Sequence, residues 1–239
     1  RRPPPAPRTR LSTSFRNLSR PKAVLWDMDG TLIDTEPLWG KATFELGELL
    51  GRPLTPEVRA KTIGGSFPNT LSVVAEWAGY ELKDGDLERY RTWMFDRMAE
   101  LFADGIELNP GIGGVLESLA QRGTPMFVCT NTERVVADPC IDAIGRDFFA
   151  GTITGDEVPN SKPAPDMYLE AARRAGAEPG ECLVVEDSWH GMSAGAAAGC
   201  AVLGLADEVP AGVMRFDPTI FVGAGADDVD GWFSAARQA

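Results

Sequence analysis

Between residues 109 and 205 the chain alternates between two kinds of segment, and that alternation leaves few folds open. Helical spacing is read at 113–121, 135–144, 164–175 and 189–198. Short apolar runs follow at 126–129, 148–153, 182–185 and 201–205. Runs of this length without polar alternation suit strands buried on both faces, and helix–strand alternation implies a parallel sheet with helices on either side. One further run, Ala23-Val24-Leu25-Trp26, stands apart and supplies a first strand. The predicted class is therefore α/β, with a doubly wound, Rossmann-like parallel sheet. The segment around Phe221-Val222 and Trp232 shows no decisive period.

The stretch between that first strand and the alternating units is different. It reads as helices over 38–50, 56–63, 70–78 and 84–101, with Leu38, Ala42, Leu46, Leu49 and Leu50 at helical spacing. Gly51, Gly64-Gly65, Gly79 and Gly85 punctuate it. Residues 36–108 are thus expected to form a small all-helical domain inserted after the first strand. Residues 22–35 and 109–239 make the core. Residues 1–21 hold six Arg, several Pro and Ser and no acid. They read as a disordered tail; a transit peptide shares that composition, but no amphipathic apolar face is evident.

Two carboxylates close the first strand. Asp27 and Asp29 are two residues apart, so in an extended backbone both leave on the same side. Gly30 allows a sharp turn after them. Like charges this close call for a cation or a shared proton. A calcium loop is excluded, because its sixth and twelfth positions would be Leu32 and Leu38. An acidic turn and a catalytic pair both remain open on these residues alone. Gly111-Ile112-Gly113-Gly114 is not a dinucleotide loop: no strand precedes it and the third glycine is missing.

Ligands of doubly wound sheets bind beyond the carboxyl ends of the strands. At those ends the sequence puts Asp27 and Asp29, then Thr130-Asn131-Thr132, then Ser161-Lys162-Pro163, then Glu186-Asp187-Ser188. Taken singly each has an ordinary role: Thr132 and Ser188 can cap helices, Lys162 can be solvated, and Glu186-Asp187 can face a helix dipole. Together they suit a phosphoryl group and a magnesium ion. Magnesium takes one or two carboxylates, water and phosphate oxygens, while Thr130, Asn131 and Lys162 can donate to phosphate. Phosphoryl transfer asks mainly for positioning and charge stabilisation, which this set offers.

Composition narrows the partners. A net charge of −12 and a pI of about 4.6 argue against non-specific nucleic-acid binding. No apolar run approaches a membrane span. Cys129, Cys140, Cys182 and Cys200 lack paired spacing and read as small buried hydrophobes. A single histidine, His190, makes a zinc site of the usual kind improbable; it reads as an exposed residue in a first helical turn.

The four signatures in this order, Asp27-Met28-Asp29-Gly30-Thr31, Thr130-Asn131, Lys162-Pro163 and Glu186-Asp187-Ser188, resemble those of the haloacid dehalogenase superfamily of phosphohydrolases. The resemblance implies that Asp27 is the nucleophile, that Asp29 is the acid and base, and that Thr130, Asn131 and Lys162 bind the phosphoryl group. It implies magnesium held by Asp27, the Asp29 carbonyl and Asp187, with Glu186 at or just outside the coordination shell. The inserted helices are similar to the family's mobile cap, and 131–162 is too short for a second one. Glu36, Gly65 and Ser66 are the implied substrate contacts.

Within the superfamily, dehalogenases lack the second Asp and ion pumps need membrane spans. The β-phosphoglucomutase-like group is the nearest match. Its mutases carry a His where this chain has Trp39 and a basic residue where it has Phe67, which favours a phosphatase. A phosphosugar mutase and a catalytically silent metabolite-binding protein are the alternatives. The resemblance thus implies a cytoplasmic, monomeric magnesium-dependent phosphatase acting on a sugar or polyol phosphate, without nucleic-acid or membrane partners. Trp39, Trp77 and Trp93 read as packing, with Trp39 placed to face a substrate.

Overall fold

The computed structural model describes residues 19–239. Residues 1–18 of the expected tail lie outside the described residues. The first strand, β1 (Ala23–Trp26), leads into α1 (Glu36–Leu49), α2 (Pro56–Ala60), α3 (Phe67–Ala78) and α4 (Asp86–Phe102). Then come α5 (Ile112–Gln121), β2 (Met126–Thr130), α6 (Arg134–Ile144), β3 (Gly151–Thr154), α7 (Asp166–Arg174) and β4 (Cys182–Glu186). The chain ends with α8 (Trp189–Ala198), β5 (Ala201–Gly204), β6 (Met214–Arg215) and α9 (Ala226–Ala236).

The strands form one sheet in the order β3-β2-β1-β4-β5-β6, every neighbouring pair parallel. This is a Rossmann-like α/β core. Its strands carry apolar side chains on both faces. Val24 and Trp26 of β1 join one cluster with α5, α6 and α9, while Ala23 and Leu25 join the other with α7 and α8. The period of two thus splits β1, β2, β4 and β5 between two buried layers. Each such Val or Leu is worth about 1.5–3 kcal/mol when removed from water.

Strand order reverses at β1, whose neighbours β2 and β4 connect outward in opposite directions. The crevice beyond the carboxyl ends of β1 and β4 is where such sheets bind ligands.

The four helices between β1 and α5 pack on one another. Leu46, Leu71, Val74, Met94 and Met98 fill a third apolar cluster, which Val136 of α6 also enters. The chain leaves the sheet and returns to it side by side. Ile33 bridges to Leu108, the Asp34 N–H donates to the Glu107 carbonyl at 3.1 Å, and the Asn109 N–H donates to the Leu32 carbonyl at 2.9 Å. The Asn109 side chain then donates to the Gly30 and Thr31 carbonyls at 3.0 and 2.9 Å, tying the returning segment to the turn after β1.

Several element boundaries depart from the periodicity. Helix α3 starts at Phe67 rather than 70, because Ser66 accepts from the Asn69 N–H (3.5 Å) and a proline sits in the first turn. Strand β3 starts at Gly151 because Arg146–Phe148 first makes a 3-10 turn. Strand β6 has two residues, too few to show a period, and Pro218–Phe221 is another 3-10 turn. The four cysteines are free and buried. Among the described residues no helix is long and apolar enough to cross a membrane.

Candidate active site

The site starts where β1 stops. The Asp27 N–H still donates to Val185 of β4 at 3.0 Å, so the carboxylate leaves from the last ordered step of the sheet. Gly30 turns the chain with φ 84°, and a Cβ there would lie 2.1 Å from Asp187 Oδ2. Only glycine lets the turn after β1 approach the loop after β4 this closely.

Lys162 sits under these acids, buried rather than solvated. Its Nζ donates to Asp27 Oδ1 at 2.6 Å, to Glu186 Oε1 at 2.5 Å and to the Cys129 carbonyl at 2.7 Å. Asn131 holds the lysine's backbone: it accepts from the Lys162 N–H at 2.9 Å and donates to the Lys162 carbonyl at 3.2 Å. Glu186 is fully engaged. Oε1 accepts from Lys162 and from the Tyr168 hydroxyl (2.8 Å), and Oε2 accepts from the Ser188 N–H (3.2 Å) and hydroxyl (3.0 Å). Asp187 accepts from the Thr31 hydroxyl at 3.2 Å.

Asp27, Glu186 and Asp187 present carboxylate oxygens within 4.8 Å of one another. One lysine cannot balance three acids. Burial, and then Glu186, pushes the Asp27 carboxyl up to about 8, with Lys162 pulling the other way. Burial, then Asp27 and Glu186, raises Asp187 well above the carboxylate range. For Lys162 burial works against the charge, yet Asp27 and Glu186 outweigh it and hold the ammonium above its ordinary value. The donor set is all oxygen and short of positive charge, which fits a hard divalent cation. Glu186 has its lone pairs taken, whereas Asp27 and Asp187 keep free ones.

Asp29 faces elsewhere. Its carboxylate does not join that trio and instead accepts from four donors. Thr35 (2.6 Å) and Trp39 Nε1 (2.8 Å) reach Oδ1, while Thr132 (2.7 Å) and Thr130 (3.4 Å) reach Oδ2. Two of the four, Thr35 at the joint and Trp39 in α1, come from where the helical insert begins, so that insert helps fix the second aspartate. Trp39 therefore does more than pack. Thr132 lies two residues beyond Thr130, and the alternation that paired Asp27 with Asp29 also pairs these hydroxyls; read as a cap, Thr132 instead reaches Asp29. Tyr168, Asn109 and Thr35 carried no sequence signal, since each acts through a partner distant in pattern.

A cleft opens above. Its empty space, mouth included, is about 750 Å³, the range of small-molecule sites. Asp27, Asp29, Thr130, Asn131 and Asp187 form its floor. Glu36, Trp39, Arg59, Phe67 and Phe95 come from the helical insert. Gly64 and Gly65 also line it, whereas Ser66 caps α3 and is not among the lining residues. The insert meets the core at few polar points. Asn131 Nδ2 donates to the Gly64 carbonyl at 2.9 Å, and His190 Nδ1 lies 3.2 Å from the Ile63 carbonyl. His190 is half-buried by that contact rather than exposed. Arg91 bonds Glu133 at 3.0 Å. Gly64, at φ 69°, presses so close to Ser188 that a Cβ would meet its side chain at 2.4 Å.

A family profile described as haloacid dehalogenase-like hydrolase matches residues 21–199. The chain is similar to a phosphorylated carbohydrates phosphatase of Thermotoga maritima, 30% identical over 179 residues that cover 74% of this chain and 82% of the relative. It is similar to a phosphoglycolate phosphatase of Chromobacterium violaceum, 32% identical over 190 residues covering 78% and 86%. Among solved structures it resembles CbbY from Rhodobacter sphaeroides in complex with phosphate. That match has a TM-score of 0.74 and 26% identity, and covers 88% of this chain and 99% of that one.

Proposed function

The chain belongs to the haloacid dehalogenase-like hydrolases, and from that premise we propose that it is a magnesium-dependent phosphatase of a small phosphorylated metabolite, a sugar or polyol phosphate, working through a phosphorylated Asp27. The observation that carries this reading is the arrangement at the ends of β1 and β4. Asp27, Glu186 and Asp187 crowd together, a buried lysine bonds the first two from below, and Asp27 and Asp187 open onto the floor of a metabolite-sized cleft with a second aspartate beside them. The names of the relatives support it: one acts on phosphorylated carbohydrates and another on phosphoglycolate.

Asp27 and Asp187, with the Asp29 main-chain carbonyl, would hold the magnesium, and Glu186 would steady the site from behind through Lys162, Tyr168 and Ser188. Bound there, the ion offsets the surplus of acid and draws charge from the phosphoryl oxygens. The carboxylate of Asp27 attacks phosphorus, a bond forms from its oxygen, and the bond to the leaving oxygen breaks. Asp29 gives that oxygen a proton. Asp29 then takes a proton from water as the water attacks phosphorus, the bond to Asp27 breaks, and inorganic phosphate leaves. Lys162, Asn131 and Thr130 would steady the phosphoryl oxygens, each by exchanging a bond it makes here: to Asp27 or Glu186, to the Gly64 carbonyl, and to Asp29. The helices over 36–108 act as the cap that recognises the leaving group and limits water around it.

The test is phosphate release from a panel of phosphomonoesters, with magnesium and after exhaustive chelation. Release that needs the metal and vanishes in Asp27→Asn is the expected result. Undiminished release in either case contradicts the reading.

A further inference from the structure

We propose that Glu36 and Arg59 together select an uncharged, polyhydroxylated leaving group and turn away substrates whose leaving group carries a second negative charge. This rests on the phosphatase reading above and deepens it.

Arg59 is the only Arg or Lys among the described residues that line the cleft. A guanidinium on the wall of a phosphate-ester site would ordinarily attract a carboxylate or a second phosphate. Here its two terminal nitrogens already have partners. Nη2 donates to Glu36 Oε1, and Nη1 donates to the Thr62 hydroxyl at 2.8 Å. The Nε–H is buried without a protein partner and lies against α1, where a Cβ built on Gly40 would sit 3.7 Å away. Both line the cleft, and the carboxylate is the more open of the two, with side-chain exposure of 35% for Glu36 against 9% for Arg59. The cleft sees the carboxylate, with the cation tucked behind it.

One Glu36 oxygen holds Arg59, and the other has no partner among the described residues. An ionised carboxylate only accepts, so the group it suits is a hydroxyl. The wall beside it is carbon, from Phe67, Met94 and Phe95, which fits the C–H face of a polyol. The other charged side chains lining the cleft are acids: Asp27, Asp29 and Asp187 on the floor, and Glu133, already bonded to Arg91. A carboxylate or phosphate on the leaving group would meet Glu36 with no free counter-charge, a built-in rejection. A bisphosphorylated sugar is turned away on the same ground, which weighs against a mutase.

The experiment uses the full chain with magnesium and compares kcat/KM for glucose 6-phosphate and for phosphoglycolate. The wild-type protein is expected to favour the sugar phosphate by about a hundredfold or more. In Glu36→Gln the negative wall is gone and Arg59 loses its counter-ion, so that ratio should fall by about tenfold or more. In Arg59→Met the carboxylate stays and its partner goes, so the ratio should not fall. Ratios within one variant cancel a general loss of rate, and the wild-type ratio needs no variant to fold. A wild-type protein that cleaves phosphoglycolate as well as the sugar phosphate overturns the inference. So does a Glu36→Gln ratio within about twofold of wild type. In those outcomes p-nitrophenyl phosphate would still be cleaved; absence of all phosphomonoester hydrolysis would instead remove the phosphatase reading itself.

Discussion

The floor of the cleft and its roof are built on opposite plans. The floor gathers ionisable groups from the ends of two strands, β1 and β4, and from the Lys162 loop, and buries them: Lys162, Glu186 and Asp27 are nearly inaccessible, and the lysine bonds both acids. The roof keeps its charge pair half-open and neutral, and touches the floor through single polar contacts at Gly64, Ile63, Arg91 and Trp39. Buried charge is costly unless paired, so the floor has one workable arrangement. On the function proposed above, one region serves the reaction and the other the choice of leaving group.

The sharpest break in this comparison comes from the floor. Asp27→Asn removes the oxygen proposed to attack, and activity should drop by about 10³-fold or more while circular dichroism stays native. Retained turnover would move the chemistry elsewhere. Lys162→Met should act on stability as well. It strips the one counter-charge from three crowded carboxylates, and breaking a buried pair in this way costs about 3–5 kcal/mol in urea unfolding. An unchanged midpoint would mean that the floor is not held by that lysine.

Effects should shrink toward the roof. Trp39→Phe keeps the ring and loses the Nε1 donor to Asp29. A hydrogen bond to a charged group is worth about 1.5–3 kcal/mol, so kcat should fall by about one to two decades. Metal-dependent stabilisation in a thermal scan should be retained, since Asp29's carboxylate lies outside the acidic trio. Arg91→Ala cuts a bridge between α4 and the start of α6 and should change stability by about 1 kcal/mol or less. An effect on kcat larger than that of Trp39→Phe would show that roof and floor are coupled through this bridge instead.

The same division explains what could be read from sequence. The sheet is legible because its central strands are apolar runs, as in Cys182-Leu183-Val184-Val185, and all but the first follow a helical period. The floor residues are legible because strand ends bring Asp27, Thr130 and Glu186 to one edge whatever the loops do. The roof is not. Glu36 and Arg59 are 23 positions apart on two helices, and their contact depends on how those helices pack. No periodicity records that. Trp39 falls between the two cases: its place just after the joint is visible, but its bond to Asp29 exists only in three dimensions. Strand β6 and the turn at Pro218–Phe221 were hidden for a simpler reason, their shortness.

The central claim is that Asp27 carries the phosphoryl group in passing. The most direct measurement uses Asp29→Asn, in which attack can proceed with a good leaving group but water is no longer activated. The variant is mixed with p-nitrophenyl phosphate and magnesium, quenched in acid and digested, and the peptides are mapped by mass. The account predicts a phosphoryl group on the peptide that contains Asp27 and nowhere else. It is contradicted if the variant releases nitrophenol and phosphate while that peptide stays unmodified, or if the phosphoryl group is found on another residue.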